Sequence, residues 1–208
     1  MKTVSLLMFL SAVLLCGCFG GKASQQKALA QKRTFVPLAE TAQAVTPSPD
    51  FAAVKIRPFR VLPPFDARTF IVYRAEGEFA ADFYNGWLAQ PQDLIRVQTT
   101  RYLEQAKLFK AVYDIGCGTM TPLGLEGVVS ELYLDYSGEK PAAVVTMRLL
   151  VLDERVPSFN VLFSEEKSTR VTFAPNGKTA ASHAFGQALT QTLEALVKAL
   201  AKAPLPSK

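Results

Sequence analysis

A long β-hairpin in the second half of the sequence constrains the fold more than any other feature. Residues 131–136 alternate between inward apolar and outward side chains, as a half-buried strand does. Residues 137–140 supply a polar turn that contains glycine, and residues 142–153 return. On the returning strand one face carries Val145, Met147, Leu149 and Val151. This pattern predicts two long antiparallel strands.

Shorter strand-like segments surround this hairpin. They cover residues 54–57, 59–62, 70–74, 111–115, 159–163 and 169–173. Pro58 separates the first two, and a proline in a strand belongs at an edge or a bulge. Residues 164–168 are either a turn or the exposed middle of one long strand that includes both flanking segments.

Two amphipathic helices complete the predicted fold. Pro91 suits the first turn of the first helix, and its apolar stripe runs to about Leu108. The second ends before Pro204 and carries an apolar stripe formed by Phe185, Leu189, Leu193, Leu196 and Leu200. We therefore predict an α+β fold, with a mixed, mainly antiparallel sheet and two helices packed on it.

The N-terminus has the pattern of a secretory signal peptide. Lys2 precedes an apolar run that is shorter than the roughly 20 residues needed to span a bilayer. Residues 15–18, Leu-Cys-Gly-Cys, resemble the bacterial lipobox. The resemblance implies cleavage before Cys18, a diacylglyceryl thioether on its sulfur and acylation of the new amine. The alternative is a plain signal peptide with an incidental cysteine. Cys16 is a poorer anchor because the bulky Leu15 precedes it.

These features divide the chain into four parts. Residues 1–17 are the expected signal peptide, residues 18–50 the lipidated cysteine and a flexible linker, residues 51–203 the folded domain and residues 204–208 a tail. The linker has few large apolar side chains and no sustained period. Its exception is an apolar island, Phe-Val-Pro-Leu at residues 35–38, which is expected to pack on the domain or on a partner.

Charge and cysteine content narrow the functional classes. Residues 51–208 carry 18 basic and 16 acidic residues, which is too even for the basic face of a nucleic-acid-binding protein. The linker holds four basic and two acidic residues, a bias that suits an anionic membrane surface or simple solubility. Cys117 is the one cysteine beyond the lipobox, and we expect it to be buried as a small apolar residue.

Aromatic residues are densest between positions 79 and 87. The candidates for partner docking or for the core are Tyr73, Phe83, Tyr84 and Trp87. Of the two interpretations, the core is favoured.

The sequence offers little catalytic chemistry. His183 is the single histidine, so a Cys117–His183 dyad is the weakest of the functional hypotheses. Phosphate-binding glycine loops, serine elbows and zinc-type Cys/His spacings are lacking. The neighbouring carboxylates at 165–166 point to opposite faces of a strand and cannot act as a pair. We predict a protein that is not an enzyme, with no catalytic residue, metal or cofactor.

Taken together, these segments resemble the ABC-type transport auxiliary lipoprotein family, which includes the paraquat-inducible protein C lipoproteins. The resemblance is carried by the strand at 54–62, by Ile-Val-Tyr-Arg at 71–74, by Phe-Tyr-Asn-Gly-Trp at 83–87 and by the helix from Pro91 through residue 109. It covers residues 52–202. The linker after Cys18 is longer than is usual in the family.

The resemblance implies a lipoprotein of the outer membrane that faces the periplasm. Such a protein would be an adaptor for an ABC transporter and an MCE-domain (mammalian cell entry) protein, which together move lipid between two membranes. A homo-oligomeric ring is a further implication. Phe19 replaces the aspartate that retains lipoproteins at the inner membrane of enteric bacteria, which favours outer-membrane sorting. A second hypothesis is a tethered module that activates a cell-wall synthase or assists pore assembly.

Overall fold

The computed structural model describes residues 32–45, 50–156, 160–175 and 179–207. The predicted signal peptide and Cys18 lie outside the described residues. The strands are β1 (Arg33–Phe35), β2 (Val54–Ile56), β3 (Arg60–Val61), β4 (Thr69–Tyr73), β5 (Phe79–Trp87), β6 (Val112–Tyr113), β7 (Leu123–Asp135), β8 (Ala142–Asp153) and β9 (Asn160–Thr172). The helices are α1 (Pro91–Ala106) and α2 (Ala180–Leu200).

Strand β7 is the centre of the sheet. One of its edges pairs with β8 in an antiparallel ladder that runs its full length. Its other edge pairs in turn with three short parallel strands, β2, β3 and β4. Strands β5 and β1 extend the sheet beyond β4, and β6 extends it beyond β2. Most paired residues lie in the antiparallel ladders, so the predicted mixed, mainly antiparallel sheet with two helices is confirmed.

The predicted hairpin is β7 and β8, and β9 continues it. Strand β9 is a single strand along β8, so residues 164–168 are the exposed middle of a long strand rather than a turn. In this ladder Glu165 lies opposite Leu149, and Lys167 lies opposite Met147. Residues opposite each other share a face, so this edge strand places charged side chains on the face that forms the core.

Both helices pack on one face of the sheet. Helix α1 begins at Pro91 and ends where Lys107 adopts a left-handed conformation, with φ 53°. Helix α2 lies against β8 and β9, and its predicted stripe is buried. A polar contact fixes its position, because the Thr192 hydroxyl lies 2.9 Å from the hydroxyl of Thr169 on β9. Within the described residues, neither helix has the length and apolarity to cross a bilayer.

Residues 32–45, which the sequence assigned to the linker, form a packed strap. Strand β1 pairs with β5, and the chain then crosses both helices. The Ala42 amide donates to the Gln105 side chain on α1 at 2.9 Å, and the Glu40 amide donates to the Thr190 hydroxyl on α2 at 2.8 Å. Gly186 of α2 permits this crossing, because an added Cβ would lie 2.4 Å from the Leu38 carbonyl oxygen.

The packed region therefore extends beyond the expected domain at residues 51–203. The apolar island at 35–38 packs on the domain, where Phe35 stacks on Phe70 with ring centroids 5.7 Å apart. At the other end, Leu205 is buried and the Ala52 amide donates to the Pro206 carbonyl oxygen. Neither segment has a helical or strand period. Their backbone groups are satisfied by side chains and isolated bridges, which explains why the pattern-based boundaries were too narrow.

Candidate contact surface

A wide bulge interrupts strand β5 between Ala81 and Gly86. Ile71 of β4 lies opposite Ala81, and Thr69 lies opposite Gly86. Two residue steps on β4 therefore face five steps on β5, and the three extra residues protrude from the sheet.

The carboxylate of Asp82 holds the bulge from inside. Its Oδ1 accepts from the backbone N–H groups of Tyr84 at 2.8 Å and of Asn85 at 3.1 Å. Its Oδ2 accepts from the side-chain amide of Asn85 at 2.7 Å. Charged acceptors make the stronger hydrogen bonds, so these three contacts give the bulge a defined shape.

Close backbone contact ends the bulge at Gly86. An added Cβ there would lie 2.3 Å from the Arg68 carbonyl oxygen, which also accepts the Trp87 N–H at 2.7 Å. The Thr69 hydroxyl donates to the Asp82 carbonyl oxygen across the bulge. Glycine is required at this position because only its backbone can approach so closely.

The bulge projects Phe83 and Tyr84 into solvent. Phe83 is 84% exposed and Tyr84 is 56% exposed. A groove of about 580 Å³ lies beside them, and its lining also includes Val72, Arg74 and Tyr136. Large exposed aromatic side chains next to a groove are typical of a contact surface rather than a reaction site. We call Phe83, Tyr84 and this groove the bulge surface.

Trp87, only three residues beyond Tyr84, belongs to the core. It is 2% exposed, and its ring centroid lies 4.5 Å from Phe70 and 4.9 Å from Phe185 of α2. The structure therefore separates the aromatic candidates. The favoured core interpretation is right for Trp87 and wrong for Phe83 and Tyr84, because the bulge turns these two side chains away from the sheet.

Tyr73 lies in a third environment. Its ring contacts Phe79 at 5.1 Å and Tyr133 at 6.1 Å between centroids, in a half-buried aromatic group that also includes Phe65. Its hydroxyl accepts the Gly77 N–H at 3.4 Å. Tyr73 does not line the groove. The structure therefore does not bring all four sequence candidates together.

A basic side chain that lines the groove, Arg74, forms an ion pair. Arg74 pairs with Glu78 at 3.3 Å, and both side chains are well exposed. Partial burial raises the pKa of the Tyr136 hydroxyl, and the nearby Asp82 charge raises it further. Tyr136 stays neutral at physiological pH and offers its ring to the groove, so the surface is mainly aromatic with a polar margin.

Cys117 and His183 do not form a dyad. Cys117 lies partly exposed in the loop before β7, so its expected burial is wrong, because the loop residues on both sides of it are exposed. Its thiol lies 3.2 Å from the Thr119 hydroxyl. Hydrogen bonds from Thr119 lower the pKa of the Cys117 thiol. His183 lies in the first turn of α2, near the strap and the opposite end of β7.

Clusters of three or more potential metal ligands do not occur in the part of the chain that the structure describes.

The sequence predictions missed Asp82, Asn85 and Tyr136 as parts of the bulge surface. A signal was present, because Asp82, Asn85 and Gly86 are residue types that strands disfavour and turns prefer.

The fold is shared with several solved structures. Protein XCC0632 from Xanthomonas campestris, a DUF330 protein, has a TM-score of 0.69 at 21% identity over 79% of this chain and 92% of that chain. An uncharacterized protein has a TM-score of 0.62 at 9% identity over 82% of this chain and 99% of that chain. The protein CT253 from Chlamydia trachomatis has a TM-score of 0.52 at 9% identity over 73% of this chain and 96% of that chain.

At these sequence identities the similarity establishes the fold alone and does not establish a function. No family model matches the chain, and no curated protein matches it.

Proposed function

We propose that this chain is a lipid-anchored protein of the bacterial envelope that acts as a non-enzymatic adaptor in lipid transport. In this proposal an ABC transporter and an MCE-domain protein are its partners, and Cys18 holds it at the outer membrane facing the periplasm. The observation that carries the proposal is the lipobox-like Leu-Cys-Gly-Cys at residues 15–18, at the end of a short apolar leader.

The described part of the chain supports a contact role rather than a catalytic one. Its most distinctive surface is the bulge surface, and its one half-exposed thiol and its histidine lie apart.

The non-enzymatic assignment is tested with Cys117→Ser and His183→Ala, which should leave transport unchanged. Loss of transport in either variant, with a wild-type melting temperature, would argue for chemistry at that residue.

Partner identity is tested by crosslinking intact envelopes and purifying the full-length protein. We expect an MCE-domain protein among the crosslinked species, and we expect Cys18→Ala to abolish its recovery because the domain is no longer held at the membrane. Recovery of cell-wall synthases alone would contradict the proposal and favour the second hypothesis from the sequence.

The structure weakens the reasoning behind that second hypothesis. A wall-spanning module needs a long reach, and a linker from Cys18 to residue 50 would supply about 110 Å when extended. With the strap packed, only 14 residue steps separate Cys18 from Lys32, which limits that separation to about 50 Å. The shorter reach suits a domain that works close to the membrane that anchors it.

A further inference from the structure

The bulge surface lies where the chain from the anchor enters the folded unit. Arg33 of β1 pairs with Asn85, the last residue of the bulge, in a parallel register. Lys32 therefore precedes the strand at the level of Tyr84. The first residues of the folded unit and the two exposed aromatic side chains occupy the same edge of the sheet.

The short chain between Cys18 and Lys32 limits the distance from the lipid anchor to this edge more strictly than it limits the distance to any other part of the domain. Lys32 lies within about 50 Å of Cys18 whatever path the intervening residues take. Met120 precedes the far end of β7, whose 13 residues place that end about 40 Å from the Tyr136 end. If Cys18 carries lipid, the edge with Phe83 and Tyr84 is the one tied to the membrane.

Charge favours a lipid surface as the neighbour of this edge. Between Cys18 and Glu40 the sequence has four basic residues and no acidic residue: Lys22, Lys27, Lys32 and Arg33. Bacterial membranes contain anionic lipids, which attract such basic segments beside a membrane anchor. Within the bulge the Asp82 carboxylate keeps its negative charge, but three N–H groups donate hydrogen bonds to it, which lowers the cost of bringing it near the bilayer.

The side chains of Phe83 and Tyr84 are also of the types that suit a membrane interface. Phenylalanine inserts among acyl chains, and tyrosine places its ring at the headgroup level while its hydroxyl stays hydrated. Because the bulge is held by hydrogen bonds and by the close contact at Gly86, the backbone that carries its two aromatic side chains already has a defined shape before contact. Little backbone conformational entropy is then lost on insertion.

We propose that Phe83 and Tyr84 insert into the interface of the bilayer that carries the lipid anchor, as a second membrane contact that orients the domain. This inference rests on the proposed lipidation of Cys18. It assigns the bulge surface to lipid and leaves the rest of the domain for the protein partner.

Tryptophan fluorescence tests the insertion directly, because the native Trp87 is buried and gives a constant background. The full-length lipidated protein is reconstituted into vesicles of phosphatidylethanolamine with a minority of phosphatidylglycerol. Phe83→Trp reports the bulge. Met120→Trp is the matched control, since Met120 is 96% exposed and lies beyond the other end of β7.

For Phe83→Trp we expect blue-shifted emission that brominated phosphatidylcholine quenches and aqueous iodide does not. Met120→Trp should show the opposite pattern. Replacing phosphatidylglycerol with phosphatidylcholine should reduce the bromolipid quenching of Phe83→Trp, because the basic segment then loses its anionic surface. Iodide quenching of Phe83→Trp equal to that of Met120→Trp would overturn the proposal.

Two further outcomes separate this inference from the proposed function. Failure of the wild-type protein to float with vesicles, with no lipid mass on Cys18, would contradict the anchor itself. Flotation of an acylated protein whose Phe83→Trp tryptophan stays in water would contradict only the insertion. A photo-crosslinker at position 83 that captures a protein in intact cells, and no lipid, would assign the bulge surface to that protein instead.

Discussion

Phe83 and Trp87 lie four positions apart on one strand, yet their side chains contribute to the molecule in opposite ways. Trp87 packs against Phe70 and Phe185, whereas Phe83 contacts solvent. The sequence alone could not separate them, because aromatic residues in a strand suit both a core and a contact surface, and the favoured core interpretation applied to both residues. The separation depends on the three extra residues of the bulge, which shift the alternation of the strand.

Alanine substitution should reveal this difference as a difference in stability. Trp87→Ala removes a buried aromatic side chain and leaves a cavity, so we expect a loss of about 3–5 kcal/mol in the free energy of unfolding. Phe83→Ala should change it by less than about 0.5 kcal/mol because the ring is exposed. Urea denaturation monitored by circular dichroism measures both. Equal losses would show that the bulge folds Phe83 into the core.

The last residue of β8 gives the domain a defined response to acid. The Arg155 guanidinium donates two hydrogen bonds to Asp153, at 2.8 and 2.7 Å, and lowers the pKa of that carboxyl from 3.8 to about 2. A lowered pKa in the folded state means that the carboxylate stabilises the fold above about pH 4. This contribution is lost as the pH falls from about 4 to 2.

Asp153→Asn removes this titration and keeps the shape of the side chain. We expect the variant to be less stable than the wild type at pH 6, with the difference in melting temperature shrinking between pH 4 and 2. Thermal unfolding in that pH series provides the measurement. A difference that stays constant down to pH 2 would show that the Arg155 contact does not control the ionisation of Asp153.

At the scale of elements, the strap and the edge strand β9 are the features that depend most on context. The strap has no periodic pattern, and its amides are satisfied by side chains of two helices that are remote in sequence. Strand β9 alternates clearly at both ends, but its charged middle is ambiguous until the pairing with β8 is known. Sequence patterns predict such elements poorly because tertiary partners, rather than local preferences, determine them.

Gly186→Ala tests the contact between the strap and α2. Replacing a glycine inside a helix by alanine usually stabilises a protein by about 0.5–1 kcal/mol. Here the new Cβ would lie 2.4 Å from the Leu38 carbonyl oxygen, so we expect destabilisation and faster amide hydrogen exchange at Glu40 and Ala42. Gly116→Ala is the control, because an added Cβ there has no neighbour within 4 Å. Unchanged exchange in Gly186→Ala would contradict the packed strap.

Charged residues on the core face of β9 protect its open edge from association. In the described sheet β9 pairs with β8 alone, and Glu165 and Lys167 form an ion pair on that face. Inward-facing charges on edge strands disfavour pairing with other chains. We therefore expect the double variant E165V/K167V to form oligomers or aggregates at concentrations where the wild type does not.

Sedimentation velocity of both proteins measures this association. The double variant E194V/K198V is a matched control, because it removes a comparable Glu–Lys ion pair from the surface of α2, where no strand edge is open. If both double variants associate to the same extent, added surface hydrophobicity rather than the unprotected edge is responsible.

At the scale of the whole molecule, the long periodic elements were predictable and their arrangement was not. Strands β7 and β8 and helix α2 have patterns long enough to specify their type, although β7 begins at Leu123, eight residues before the alternating segment at 131–136. The parallel pairing of β2, β3 and β4 along one edge of β7 leaves no signature in those short segments. The bulge surface was predicted only in part, because Phe83 and Tyr84 were candidates and the residues that position them were not.

The anchor residue is predicted to matter for the whole protein rather than for its fold. Cys18→Ala should leave the melting temperature of the domain unchanged, because the described contacts that hold the domain together begin at residue 32. The same variant should abolish transport, since the domain is no longer held at the membrane. Complementation of a deletion strain, together with thermal unfolding of the purified variant, tests both statements. A fully active, unanchored protein would contradict the adaptor proposal.

The strap also determines how tension would pass from the anchor into the domain. A pull at Lys32 acts first on β1, which pairs with β5 over three residues, and then on single hydrogen bonds to α2 and α1. We expect these contacts to break one after another under load, with each break releasing a few residues. The strap is therefore the part of the folded unit that yields first, while the pairing of β5, β4 and β7 stays intact.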